Sequence, residues 1–150
     1  RLYIALFSSA VVVAIALLVD SRSIGGGIGL VEELLFDPTA RADWKLIAAR
    51  FFGTLFTHLS GCAGGFLAPS LALGAAIGSW FAVITKYHSH NLVVLLGMAA
   101  FLGAITRAPF TALVIVMEMT DSHAAIFPLM VACLASNATE SFLTGRFRKL

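Results

Sequence analysis

The chain has 150 residues, of which 59% are hydrophobic and 12% are charged. Soluble domains are about 25% charged, so this composition excludes a conventional soluble enzyme and predicts a protein of the lipid bilayer. The net charge of +2 is too small to indicate a nucleic-acid partner. Cys62 and Cys133 lie far apart in apolar segments, which predicts two small apolar side chains rather than a metal site or a disulfide.

Apolar runs separated by polar residues predict an all-α bundle of about seven helical segments, tilted and partly broken. Residues 2–19 are long enough to span most of a bilayer, whereas residues 28–36 are too few to cross it. Five further helices are predicted at residues 44–60, 70–85, 92–106, 110–119 and 124–143. The first residues, "RLYIALFSSA", include no initiator Met and no polar leader, so we expect no signal peptide and interpret the chain as part of a longer protein.

Three of the connections between these segments, at residues 25–29, 61–69 and 107–109, contain glycine or proline. In lipid every backbone N–H and C=O group needs a partner, so a broken helix persists only where protein or a water-filled cavity covers the break. Short hydrophobic segments interrupted by Gly or Pro are typical of transport sites near the middle of the bilayer. The pattern therefore favours a transport protein.

The glycine-rich stretch "GCAGGFLAPSLALGAA" at residues 61–76 is the most informative of these breaks. Residues 59–85 include no charged side chain and no histidine, so a polar ligand must be bound there by backbone groups or serine hydroxyls. The start of a helix presents about four free N–H groups and a partial positive charge, which attract an anion without holding it tightly. Two hypotheses follow: a weak anion site, or a non-transporting membrane scaffold in which the glycines only permit close helix packing.

Three motifs resemble those of a known family. "GGFLAPSLALGAAIG" resembles the anion-binding segment of the CLC chloride channel and transporter family, "GAITRAPFTALVIVMEMTD" resembles that family's next signature, and "GGGIGL" at residues 25–30 resembles its earlier triple-glycine turn. The resemblance implies that residues 1–150 are the C-terminal half of a CLC-type membrane domain, namely the second of two inverted repeats without the last helix. It also implies a multi-pass protein of the bacterial inner membrane.

The resemblance further implies which residues bind chloride or a similar small anion. They are six consecutive residues: Gly64, Gly65, Phe66, Leu67, Ala68 and Pro69. The backbone amides of Phe66 and Leu67 fall where the anion is coordinated, and the two glycines permit its close approach. The family usually has its Phe at the position of Leu67, so the side chain that lines the pore differs in this protein.

Two arguments disagree on where the helix after the glycines begins. Capping rules favour Pro69 as its first residue, which would leave the free donors on Ser70, Leu71 and Ala72. The resemblance starts the helix earlier and places Pro69 within its first turn. We adopt the earlier start.

The remaining polar residues are expected to be structural. Arg50 is predicted to extend to the membrane interface, and Arg107 to bond the last carbonyls of the helix before it rather than attract anions. Glu118 and Asp121 close a helix, where an interfacial role is favoured over proton transfer. His58, inside an apolar helix, is either a contact between helices or a functional residue.

The resemblance implies a homodimer formed through the helices at residues 109–119 and 124–142. It does not separate a channel from a proton-coupled antiporter. His88 and His90 lack a third ligand nearby, and no catalytic arrangement of side chains is apparent. We therefore expect neither an enzyme nor a bound metal or cofactor, and the expected partners are the anion, the lipid bilayer and a second copy of the protein.

Overall fold

The computed structural model describes residues 26–37, 40–59, 65, 67–86, 89–121 and 123–147, together with Ala10 and residues 12–14. Those last four positions are helical, and the rest of the predicted helix at residues 2–19 lies outside the described part. Beyond them, the described chain forms six α-helices: α1 (Ile28–Phe36), α2 (Trp44–Leu59), α3 (Leu67–Thr85), α4 (His90–Thr106), α5 (Pro109–Thr120) and α6 (Ile126–Phe147), with a 3-10 turn at His123–Ala125 before α6. The described residues form no strand, which confirms the all-α prediction.

The helices match the predicted segments, but three of them extend further than their apolar residues indicate. α3 starts at Leu67 rather than at residue 70. α4 starts at His90 rather than at residue 92, and α6 continues to Phe147 rather than ending near residue 143. Residues 141–145 of α6 are all exposed. They include the large apolar residues Phe142 and Leu143, so this end of the helix continues although it packs against little of the described chain.

The break between α4 and α5 takes the form predicted from Pro109. This proline is the first residue of α5, Ala108 before it has φ −128° and ψ 77°, and Arg107 ends α4 in the left-handed conformation with φ 54°. Proline disfavours helical geometry in the preceding residue and needs no N–H donor at a helix start, so it ends one helix and opens the next. α5 has 12 residues, which is too few to cross a bilayer.

α3 and α4 run antiparallel at the centre of the bundle. Gly74 and Gly78 of α3 face Gly97 of α4 so closely that a Cβ added at Gly97 would lie 2.5 Å from the carbonyl oxygen of Gly74. Small residues permit this close approach of helix backbones in membranes. Both helices contribute to one buried core: Leu71, Ala72, Ala75 and Ala76 from α3, and Val94, Leu95, Met98, Ala99 and Leu102 from α4.

α6 packs against α4 through small and polar side chains. Ser136 Oγ donates to the carbonyl oxygen of Ala100 at 2.5 Å, and Cys133 Sγ lies 3.4 Å from that of Ala99. Cys133 is buried with a free thiol, which confirms its predicted role as a small side chain in an apolar contact. Cys62 lies outside the described residues.

A buried hydroxyl ties the loop before α2 to the end of α3. Ser79 is fully buried, and its Oγ accepts the backbone N–H of Ala42 at 3.2 Å. The same Oγ lies 3.1 Å from Nε2 of His90. Because buried polar groups need partners, Ser79 fixes three separate stretches of chain at one point, and His90 is a structural residue at the start of α4.

Among the described residues, two helices are long and apolar enough to cross a bilayer, over Leu67–Thr85 and Ile126–Gly145. The helices His90–Thr106 and Pro109–Thr120 are apolar but shorter. Large apolar side chains are exposed on the bundle surface, including Phe81, Phe110 and Phe127. The combination of long and short apolar helices is that of a membrane protein with interrupted helices.

Candidate anion-binding site

The start of α3 decides which backbone amides are free. Leu67 is the first helical residue, so Pro69 lies in the first turn, as the family resemblance implied. The capping argument for Pro69 as the first residue was wrong, because proline is tolerated throughout the first turn, where its missing N–H would have no intrahelical acceptor. Gly64 and Phe66 of the predicted site lie outside the described residues.

The first turn of α3 presents its amides at an open surface. The N–H groups of Leu67 and Ala68 belong to the first turn of the helix, where backbone amides have no acceptor within the helix. Leu67 is 46% exposed, whereas Ser70 one turn later is buried. Gly65 is also exposed, and a Cβ built on it meets no described atom within 4 Å. No described residue therefore fills the space beside Gly65, two residues before Leu67.

A second helix starts beside the first turn of α3. Gly27 caps α1 with φ 86°, and a Cβ at this position would overlap that of Ala72 in α3. A Cβ at Gly26 would lie 3.9 Å from that of Ala68. Each helix start carries about half a positive charge, so α1 and α3 bring two partial positive charges to one region.

The side chain of Arg50 from α2 also lies in this region. Its side chain is buried, at 4% exposure, and its Nη1 lies against Gly27. The prediction that Arg50 extends to the interface was therefore wrong: packing of α2 against α1 and α3 encloses the side chain. Residues 59–85 contain no cation of their own. The tertiary structure places the guanidinium of Arg50 next to Gly27, which also lies against Ala72 of α3. Ala72 is within about two helical turns of Leu67.

A mainly apolar cavity of about 160 Å³ flanks the first turns of α3. Its lining comes from α2, α3 and α4: Phe51, Thr54, Leu55, His58, Pro69, Ser70, Leu73, Phe101 and Ile105. His58 is exposed and is placed beside the candidate site by this packing. The sequence identified His58 as a candidate because it is ionisable within an apolar helix and lies just before the glycine-rich stretch, but it gave no signal for the neighbours from α4.

The predicted partners of the charged residues near α5 were partly wrong. Arg107 donates from Nη2 to Oε1 of Glu140 at 2.6 Å, so its described contact is an ion pair with α6 rather than with helix carbonyls. Asp121 caps α5 with φ 48°, and its N–H donates to the carbonyl of Met117, in keeping with a structural role. Glu118 is exposed near the same helix end. The described residues contain no cluster of His, Cys, Asp and Glu large enough to hold a metal ion.

Comparison with known proteins relates the whole chain to one family. The family profile described as "Voltage gated chloride channel" matches residues 1–141. The H(+)/Cl(-) exchange transporter ClcA of Cronobacter sakazakii is 34% identical over 134 residues, and those of Citrobacter koseri and Klebsiella pneumoniae subsp. pneumoniae are 34% identical over 142 residues. These matches cover 85–86% of this chain, which spans 29% of the length of each relative. No solved structure matches the chain significantly. The profile match and the identity to these relatives show that the chain belongs to the voltage gated chloride channel family.

Proposed function

We propose that this chain supplies an anion-conducting part of a chloride transport protein, with the anion held by the backbone amides of Leu67 and Ala68 and of Phe66 before them. Membership of the chloride channel family and the name of the relatives, H(+)/Cl(-) exchange transporter, support chloride or a similar small anion as the substrate. The observation that carries the proposal is the start of α3 at Leu67, because it leaves these amides without carbonyl partners within the helix.

The electrostatics around α3 support weak binding of an anion. The starts of α1 and α3 lie close together, at Gly26 and Ala68, and each carries about half a positive charge. The amides of Leu67 and Ala68 carry only partial charges, so they attract an anion without holding it tightly. Conduction needs binding that is favourable enough for entry and weak enough for release.

The alternative function, a membrane scaffold whose glycines serve packing alone, explains only some of the glycines. Gly74, Gly78 and Gly97 lie against backbone atoms of the neighbouring helix, as packing requires. Gly65 does not, because a Cβ built there meets no described atom within 4 Å. Close helix packing therefore accounts for the glycines of the α3–α4 contact and not for Gly65.

Replacement of Gly65 by valine tests the anion site. We expect Gly65→Val in the full-length protein to weaken chloride binding by about tenfold, because the valine side chain fills the space in front of the amides. This change corresponds to about 1.4 kcal/mol of binding free energy and is measured by isothermal titration calorimetry. Uptake of radiolabelled chloride into liposomes should fall in parallel. Gly53→Val in α2 is the control, since a Cβ at Gly53 also meets no described atom within 4 Å.

Equal chloride binding by Gly65→Val, Gly53→Val and the wild type would overturn the assignment of the site. Absence of chloride flux through the wild-type protein would instead favour the scaffold.

The proposal contains no catalytic step and no cofactor. We further infer that residues 1–150 act as the second of two inverted repeats in the bacterial inner membrane, and that α5 and α6 join two copies of the protein.

A further inference from the structure

A polar cavity lies between the end of α4 and the second half of α6. Its volume is about 310 Å³, and its lining consists of Arg107, Asn137, Glu140, Ser141, Thr144 and Gly145. Apart from the glycine, every lining residue has a side chain that forms hydrogen bonds. The cavity is thus unlike the apolar cavity beside α3, and it lies on a helix that is otherwise rich in exposed apolar residues, such as Phe127 and Val131.

Donors in this cavity converge on one carboxylate oxygen. Oε1 of Glu140 accepts from Nη2 of Arg107 at 2.6 Å and from the hydroxyl of Thr144 at 2.7 Å. The side chain of Arg107 is 65% exposed and that of Glu140 is 22% exposed. A guanidinium and a hydroxyl that share one oxygen are the groups with which proteins recognise carboxylates and other oxyanions.

The backbone of Arg107 directs its side chain to this place. Arg107 has φ 54° and ψ 23°, a left-handed conformation that is uncommon for residues other than glycine. In this conformation it ends α4 and reaches α6, where Glu140 lies 33 positions later in the sequence. Ser141 bonds to Asn137 one turn away, with Oγ 3.4 Å from Oδ1, which leaves the amide NH₂ group of Asn137 as a further donor toward the cavity lining.

We propose that this cavity is a second anion-binding site, for a planar monovalent oxyanion, and that the carboxylate of Glu140 occupies it in the wild-type protein. The carboxylate is itself a planar oxyanion, and the planar fork of a guanidinium matches that shape. A carboxylate attached to the protein competes at a high effective concentration with any free anion. Glu140 therefore closes the site, and its removal opens the site to an anion from solution.

The site is separate from the one proposed at α3, but it lies toward the same end of the bundle. Ile105, two residues before Arg107, shares the apolar cavity with Pro69 and Ser70 of α3. An anion at Arg107 would thus be held near the start of α3 by a different set of groups. This inference does not depend on chloride binding by Leu67 and Ala68.

Nitrate binding to full-length variants tests the proposal. We expect Glu140→Ala to bind one more nitrate per chain than the double variant Glu140→Ala with Arg107→Gln, as measured by isothermal titration calorimetry. Nitrate that binds at α3 contributes equally to both variants and cancels in the difference. We expect the wild type and Arg107→Gln alone to bind equal amounts, because Glu140 already occupies Arg107 in the wild type.

Equal nitrate stoichiometry in Glu140→Ala and the double variant would overturn the site. Less nitrate bound by Arg107→Gln than by the wild type would show that Glu140 does not close it. If Glu140→Ala fails to fold, Glu140→Ser replaces it, because the short serine side chain also vacates the space beside Arg107 while its hydroxyl can bond to the helix backbone. Folding of each variant is checked by gel filtration and circular dichroism.

Discussion

Gly27 shows how one residue joins three helices. It caps α1 with φ 86°, and its missing side chain makes room for Ala72 of α3 and for the guanidinium of Arg50 from α2. Only glycine adopts this conformation at no steric cost. The motif "GGGIGL" indicated a turn at this position. The two side chains that require glycine here, those of Arg50 and Ala72, lie 23 and 45 positions later in the sequence.

Replacement of Gly27 by alanine tests this role. We expect Gly27→Ala to destabilise the full-length protein by about 2–4 kcal/mol, since the added Cβ overlaps Ala72 and the left-handed backbone adds strain. The midpoint of thermal unfolding, followed by circular dichroism in detergent, measures the effect. Gly29→Ala is the matched control two residues later, because a Cβ there meets no described atom within 4 Å. A Gly27→Ala protein as stable as Gly29→Ala would contradict this account.

Arg50 and Arg107 differ in their surroundings. Arg50 is buried, and its guanidinium lies against Gly27 at the start of α1. Arg107 is mostly exposed and paired with Glu140. An exposed ion pair contributes about 0–1 kcal/mol to stability, so the Arg107–Glu140 pair is better explained by the cavity that it occupies than by a need to hold α4 and α6 together.

At the scale of whole elements, the contact between α3 and α4 limits how the bundle packs. The backbones approach at Gly74, Gly78 and Gly97, where added Cβ atoms would lie 2.5–2.7 Å from carbonyl oxygens of the other helix. These neighbours are backbone atoms, which cannot rotate away as a side chain can. The antiparallel pair therefore depends on three glycines in register.

We expect Gly97→Ala to destabilise the full-length protein by about 1–3 kcal/mol, because its Cβ would lie 2.5 Å from the carbonyl oxygen of Gly74 and force the helices apart. Chemical unfolding in mixed detergent, followed by tryptophan fluorescence, measures the change. Gly103→Ala, on the same helix, should have little effect, since the nearest atoms to its Cβ lie at an ordinary 3.7 Å. Equal stability of the two variants would show that the α3–α4 distance adjusts freely.

The start of α3 shows what local rules can predict about an element. The resemblance to a known family placed Pro69 within the first turn, which the start at Leu67 confirms, whereas the preference of proline for the first helical position indicated a start two residues later. Proline is tolerated at any position of the first turn, because none of those N–H groups has an acceptor in the helix. A capping preference therefore restricts a helix start to a few residues without choosing among them.

At the scale of the whole molecule, α5 and α6 leave large apolar side chains uncovered. Phe110 on α5 is 66% exposed, and Phe127 on α6 is 75% exposed. In a membrane such surfaces face lipid or another subunit, and the predicted homodimer uses these two helices. The homodimer stays a prediction.

Truncation of Phe127 tests the dimer. We expect Phe127→Ala to raise the dissociation constant of the full-length dimer in mild detergent by about tenfold, as measured by sedimentation equilibrium, because aromatic side chains often contribute strongly to an interface. Phe36→Ala at the end of α1 is the control, since Phe36 is also 75% exposed but lies outside the predicted interface. A wild-type protein that is monomeric at low micromolar concentration would rule out the dimer.

The sequence by itself determined the protein class, the order of the helices and the segment that carries the candidate anion site. Low charge and long apolar runs require a membrane environment, and Gly and Pro interrupt helices by local geometry, so these features can be read one segment at a time. Only the tertiary structure decided that α1 begins beside α3, that Arg50 is buried there, and that Arg107 pairs with Glu140. Periodicity and hydropathy report how apolar the surroundings of a residue are, but contacts between distant segments depend on how helices pack together.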